Sequence, residues 1–125
     1  MLDNNNMILY YNLNKSEEAA IDKIVKEASI NSKKEINSKM AKMTIKNIID
    51  GFVLETLNES LPKDKLILFN NISDDQMNKA INMIKNDFSK RPILAAVTDT
   101  SINWTFEYLL EHLIEEREWY KNHSS

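Results

Sequence analysis

Apolar residues along this chain form short runs that alternate with stretches of helical periodicity. Three runs favour β-strands, at residues 7–13, 66–72 and 93–97. Residues 67–69 and 93–97 are apolar at consecutive positions, as central parallel strands are. A shorter strand is predicted around residues 34–37. The pattern therefore predicts four strands.

Helical spacing follows each of the four strands. Two helices are marked by apolar sets at that spacing, one being Ala20, Ile21, Ile24, Val25 and Ala28, the other Met77, Ala80, Ile81 and Ile84. The second of these begins with a capping box, in which Ser73 is followed three residues later by Gln76.

Two more helices complete the pattern. Thr44 caps a helix whose apolar face comprises Ile45, Ile48, Ile49 and Phe52, and Gly51 either ends this helix or lies within it. The last helix starts between residues 101 and 105 and ends near Trp119. Its core stripe comprises Phe106, Leu109, Leu110, Leu113 and Ile114.

Regular alternation of strands and helices predicts an α/β fold. We expect one domain over residues 1–125, with about four mostly parallel strands alternating with four helices (β-α-β-α-β-α-β-α) in the order 2-1-3-4. Its halves are residues 7–64 and 65–120, because each opens with a strand, a polar corner and a helix. This likeness indicates either a duplicated βα unit or convergence on the same loop chemistry.

Composition excludes several classes of protein. The 125 residues are 42% apolar and 28% charged, which is ordinary for a globular domain, and the formal net charge of −3 disfavours nucleic-acid binding. The absence of cysteine excludes a disulfide scaffold, a thiolate nucleophile and a zinc ribbon. No signal-peptide pattern or long apolar run occurs, so we expect a cytoplasmic protein that does not bind membranes.

Polar side chains follow three of the predicted strands. If the strands are parallel, these side chains share one edge of the sheet beside helix N-termini, which attract small anions. The candidate ligand rim, with the last residue as a wall, comprises Asn12, Asn70, Asn71, Thr98, Asp99, Thr100 and Trp104. The alternative is that these residues only cap helices and satisfy turns.

Neither a catalytic set, a metal site nor a cofactor motif is predicted. Asp74, Asp75 and Asp99 could together hold Mg²⁺, but the first two equally suit a first helical turn. His112 and Glu116 lie four residues apart on the last helix, and two ligands do not make a site.

The end of the last helix carries the candidate interface. Trp119 and Tyr120 extend beyond the core stripe, so they either bind a protein partner, such as a second copy, or fold back over their own core. The acidic face of this helix and the lysine-rich stretch at residues 33–46 also make self-association a candidate.

Three segments resemble a known family. The runs at residues 8–12 and 68–76, and above all the stretch at residues 96–105 with Thr98, Thr100 and Trp104, resemble a domain-of-unknown-function family, DUF3783, of small bacterial α/β proteins. Asp99 and Ser101 stand where that family usually has Pro and Asn. The resemblance implies the fold and brings no assigned activity.

We expect from these observations a binding or protein-interaction module without catalytic activity. The alternative is an enzyme that acts on a small anionic substrate at the rim, with Asp99 as acid or base.

Overall fold

The computed structural model describes residues 6–52 and 60–123. Their elements are β1 (Met7–Tyr11), α1 (Lys15–Glu27), β2 (Ser32–Ile36), α2 (Ile45–Ile49), β3 (Leu66–Asn70), α3 (Asp74–Asp87), β4 (Ile93–Ala96) and α4 (Phe106–His123), with 3₁₀ turns at Ser38–Met40 and Ser101–Asn103. The predicted α/β class and the alternation of strands and helices are confirmed.

The four strands form one mixed sheet in the order β2-β1-β3-β4, as predicted. β2 is parallel to β1 and β4 is parallel to β3, whereas the central strands β1 and β3 are antiparallel. The sheet therefore consists of two parallel pairs that point in opposite directions.

The two halves repeat the same local geometry about this central pair. Asn12 and Asn71 directly follow β1 and β3, and both have positive φ, 62° and 55°. Asn14 and Ser73 then cap α1 and α3, each in a capping box. Because Leu9 and Leu68 pair at the centre of the antiparallel register, an approximate two-fold axis passes between them.

Two apolar clusters cover the two faces of the sheet. On one face, α1 and α3 pack Ile21, Ile24, Ala80 and Ile84 against the alternate residues of β1 and β3. On the other face, α2 and α4 contribute Ile45, Ile48, Phe106 and Leu110. Most of the predicted core stripe of α4 is thus fully buried, with Leu113 and Ile114 at its margin.

The structure decides between the two alternatives for Gly51 and revises two expectations about α2 and α4. α2 ends at Ile49, and Gly51 at φ 84° lies just beyond it, so this glycine follows the helix end. Phe52 is 62% exposed and does not belong to the core face. The predicted continuation over residues 53–57 lies outside the described residues. α4 extends beyond Trp119 to His123.

Candidate functional site

The predicted ligand rim is divided between the two opposite ends of the sheet, where strands of opposite direction terminate. Since β1 and β3 are antiparallel, Asn12 lies at one edge and Asn70 at the other. The expectation of a single shared rim is therefore wrong. Asn12 is engaged locally, because its Nδ2 donates to the carbonyl of Lys63 at 2.5 Å. This bond lies beside a polar cleft of about 460 Å³ that includes Tyr11 and Glu35.

The remaining rim residues share the edge where β3 and β4 end. Asn70 is fully buried as the last residue of β3. Asn71 turns the chain into α3, and its carbonyl accepts a bond of 2.8 Å from Nδ2 of Asn6. Asp99 and Thr100 are exposed, and Thr100 begins a 3₁₀ turn without a side-chain cap. Most polar groups at this edge hold turns together.

Thr98 and Ser101 bind each other reciprocally. The amide of Thr98 donates to Oγ of Ser101 at 2.9 Å, and the amide of Ser101 donates to Oγ1 of Thr98 at 3.0 Å. The two hydroxyls are 3.1 Å apart. Ser101 is buried, and the sequence analysis did not include it in the candidate ligand rim. Its three-residue spacing from Thr98 was the available signal.

Trp104 belongs to an aromatic cluster at the start of α4. Its ring lies edge-on to Tyr108 and to His112, with centroids 4.8 Å and 5.1 Å away. Nε2 of His112 is 3.4 Å from a carboxylate oxygen of Glu116. Trp104 is half-buried against the core on one side and reaches this surface cluster on the other.

A groove runs between β4 and α4, and we call it the β4–α4 groove. Its upper part, about 250 Å³, is lined by Ala95, Thr98, Ser101, Trp104 and His112 among others. Its lower part, about 450 Å³, includes Arg91, Leu94, Leu113 and Tyr120. Glu116 lines both parts, so the two cavities adjoin and follow the whole length of the strand.

β4 is the outermost strand on this side of the sheet. The amides of Ile93 and Val97 donate to carbonyls beside and within β3, at 2.9 Å each. In a parallel ladder the alternate residues point away from that partner. The N–H and C=O groups of Leu94 and Ala96 therefore face outward along the groove.

The other outermost strand, β2, is protected differently. Its sequence is Ser-Lys-Lys-Glu-Ile, in which Lys33 forms an ion pair with Asp22 and Lys34 donates to the carbonyl of Ile48 at 3.0 Å. Charged side chains on an edge strand discourage pairing with other chains. β4, with the sequence Ile-Leu-Ala-Ala, carries no such protection.

The candidate interface residues are exposed at the far end of α4. Trp119 is 55% and Tyr120 is 65% exposed, and their rings are 5.2 Å apart. Tyr120 lines the lower part of the β4–α4 groove. The alternative that both side chains fold over their own core is therefore wrong for the described part of the chain.

Neither a group of metal-ligating side chains nor a membrane-spanning helix occurs in the described part of the chain. Within residues 6–52 and 60–123, no group of three or more histidine or acidic side chains is placed to hold a metal ion. Asp74 and Asp75 lie in the first turn of α3. In the same residues, no helix has both the length and the apolar character needed to cross a bilayer.

The chain is a small α/β domain made of two similar halves. An approximate two-fold axis between the antiparallel strands β1 and β3 relates these halves. Residues 65–120, which contain β3, α3, β4 and nearly all of α4, match the model of the family described as a domain of unknown function (DUF3783). The family resemblance is confirmed over this part of the chain, which includes the β4–α4 groove. No curated protein and no solved structure gives a significant match to the chain.

Proposed function

We propose that this chain is a non-catalytic protein-interaction module that binds a polypeptide strand along β4. The observation that carries this proposal is the contrast between the two outer strands. β2 is guarded by charges, while Leu94 and Ala96 present backbone donors and acceptors from an apolar strand. An added strand would satisfy these groups by main-chain hydrogen bonding.

The groove beside β4 supports the same proposal. An added strand needs contacts for its side chains, and α4 provides an aromatic and apolar wall next to the open edge. Trp104 and Tyr120 stand at the two ends of that wall. Aromatic residues of this kind supply much of the binding energy in protein interfaces.

A cytoplasmic location suits this function. The chain has no cysteine and so does not depend on disulfide bonds, which are rare in proteins of a reducing compartment. We propose that the module works in the cytoplasm of a bacterium, as the family resemblance implies.

An enzyme acting on a small anion at the edge beside Asp99 is the alternative. The geometry favours it less, because the hydroxyls of Thr98 and Ser101 are already engaged with each other. Replacing Asp99 by Asn distinguishes the two functions. The enzyme alternative predicts loss of turnover in a folded protein, whereas the interaction module has no turnover to lose.

Site-specific photo-crosslinking in cells tests the interaction module. A photoreactive phenylalanine analogue replaces Tyr120 in the groove, and a matched probe replaces Phe52, which is almost equally exposed on the other half. We expect a covalent adduct from position 120 and none from position 52. Adding Ala96→Pro should abolish the adduct, since proline removes an outward N–H without breaking the bonds to β3.

The result that overturns the proposal is equally definite. If position 120 gives no adduct, or an adduct that Ala96→Pro leaves intact, strand addition at β4 is wrong. Glu35→Pro controls for a general effect of proline, because Glu35 holds the equivalent position on β2. This variant should leave the adduct in place.

A further inference from the structure

We infer that the strand added to β4 is β4 of a second copy of this chain, in antiparallel register about Ala95. This inference rests on the proposed function and names its partner. It joins two four-stranded sheets into one continuous sheet across a two-fold axis. Such an isologous contact uses the same patch on both copies.

Hydrogen-bond geometry selects this register. Antiparallel pairing places outward-facing residues opposite outward-facing residues, so Leu94 and Ala96 must each meet an outward position. Centred on Ala95, Leu94 of one copy meets Ala96 of the other, and both residues exchange N–H···O bonds. All four outward amides of the two strands are then satisfied.

The neighbouring registers are poorer. A register centred on Leu94 places this residue opposite Leu94 of the second copy. Ala96 then lies opposite Pro92, which has no N–H to donate. A shift the other way pairs Leu94 with Thr98, whose amide already donates to Oγ of Ser101. In the first case the C=O of Ala96 stays unpaired, and in the second the C=O of Leu94 does. Only the register about Ala95 pairs both the N–H and the C=O of Leu94 and of Ala96 without breaking a bond that the chain already makes.

Side-chain size and charge agree with that choice. Ala95 meets its own copy at a non-hydrogen-bonded position, where the two Cα atoms approach to about 4.5 Å and small side chains fit best. Beyond the ends of the paired strands, the same register brings Arg91 of one copy towards the turn that contains Asp99 of the other. Both side chains are exposed, and the structure gives neither an ion pair within the described residues.

The exposed rings of α4 provide a second line of support. A two-fold axis perpendicular to the sheet places both α4 helices on the same face, running antiparallel beside the joined strands. The wall of the β4–α4 groove on one copy then faces the same wall on the other. The exposed Tyr108 and Tyr120, at 52% and 65%, flank this contact, and a second copy covers a surface that is costly to leave in water.

Cysteine cross-linking tests the register directly, since the chain has no cysteine of its own. We expect Ala95→Cys to form a disulfide between copies under mild oxidation. Ala96→Cys should not, because its own copy lies two residues out of register. Lys34→Cys, at the equivalent position on β2, is the control for random collision and should also remain unlinked.

A charge exchange tests the contact without covalent chemistry. Sedimentation equilibrium of the wild type should give a mass about twice 14.6 kDa. Arg91→Asp places two pairs of like charges across the axis, and we expect the dimer dissociation constant to rise at least about tenfold. Asp99→Arg should do the same, and the double variant should restore wild-type affinity.

The outcomes separate this inference from the proposed function. A monomeric wild type whose Tyr120 probe captures a different protein, in an adduct lost with Ala96→Pro, overturns the second-copy inference and leaves the interaction module standing. A monomer that gives no adduct overturns both. If the wild type is a dimer but Ala95→Cys forms no disulfide and the charge exchange leaves the dissociation constant unchanged, the dimer uses another surface. That result also overturns the inference.

Discussion

Thr44 and Thr105 face each other in an isolated antiparallel bridge where the two halves of the domain meet. The amide of Ile45 donates to the carbonyl of Trp104, and the amide of Phe106 donates to the carbonyl of Met43, at 2.9 Å each. Each threonine also receives an amide from the first turn of its own helix, α2 or α4. The approximate two-fold relation of the sheet thus extends to the helix starts.

These caps make a first prediction. Thr44→Ala and Thr105→Ala should each lower the free energy of unfolding by about 1 kcal/mol, because each leaves a helix amide without its side-chain acceptor. Thr→Ser variants keep the hydroxyl and should stay close to wild type. Urea denaturation measures both. Equal loss in the Ala and Ser variants would show that the methyl group matters and the cap does not.

The Thr98–Ser101 pair makes a second prediction. Ser101→Ala should cost about 1 kcal/mol of unfolding free energy, since it removes the hydroxyl that accepts the part-buried amide of Thr98. Thr100→Ala, in the same loop and exposed, should change stability by less than about 0.5 kcal/mol. If the two variants melt together, the reciprocal bonds do not stabilise the loop.

Glu17 and Lys65 make a third prediction. Glu17 is buried, one of its carboxylate oxygens caps α1 through the amide of Asn14, and the other receives Nζ of Lys65 at 2.6 Å. Lys65→Met strands this carboxylate and should cost roughly 3 kcal/mol. Glu17→Gln keeps the capping oxygen and should cost less.

A double-variant cycle checks the reason for that difference. Glu17→Gln combined with Lys65→Met removes the buried charge together with its partner, so it should be more stable than Lys65→Met alone. Strict additivity of the two single losses would contradict a direct interaction between the side chains.

Tyr10 makes a fourth prediction, about pH. Burial and the hydrogen bond that its hydroxyl donates to Glu18 raise the pKa of Tyr10 to about 12. In the unfolded chain the tyrosine pKa is about 10. The unfolded state therefore loses its proton first as the pH rises, and it is stabilised relative to the folded state.

The stability that Tyr10 contributes is accordingly complete below pH 10 and disappears as the pH rises through about 12. We expect a loss on the order of 2 kcal/mol over this window. Urea unfolding at intervals across the window measures it. Tyr10→Phe should have a flatter alkaline profile than wild type, and an identical profile would contradict the assignment.

The two tryptophans make a fifth prediction. Trp104→Ala should cost about 2–4 kcal/mol, because its half-buried ring packs against the core and against Tyr108. Trp119→Ala should cost less than about 0.5 kcal/mol in the Ala96→Pro background, where the proposed pairing is blocked. Both substitutions are made in the Ala96→Pro background, and thermal unfolding compares each double variant with Ala96→Pro alone. Similar melting temperatures for the two variants would remove Trp104 from the core.

Local patterns predicted most elements because they report properties of a few neighbouring residues. The capping box at Ser73 and the apolar spacing of α3 both depend on positions within one or two helical turns, and the structure has them as expected. The prediction that Phe52 belongs to the apolar face of α2 was wrong, because Gly51 at positive φ takes the chain away from that face.

The direction of a strand is a different kind of property. A continuous apolar run shows that a strand is buried on both faces, and β3 has such a run although its neighbour β1 is antiparallel. The residues of β1 and β3 therefore could not show that Asn12 and Asn70 end at opposite edges.

By itself the sequence determined the α/β class, the caps and most of the core stripe of α4, since these follow from spacing and local hydrogen bonding. The strand order 2-1-3-4 was suggested by the handedness of crossover connections, and the structure confirms it. Only the tertiary structure decided which polar residues share an edge and that β4 borders a groove with α4. Those relations join residues far apart in the chain, and they depend on how the two halves turn against each other about Leu9 and Leu68.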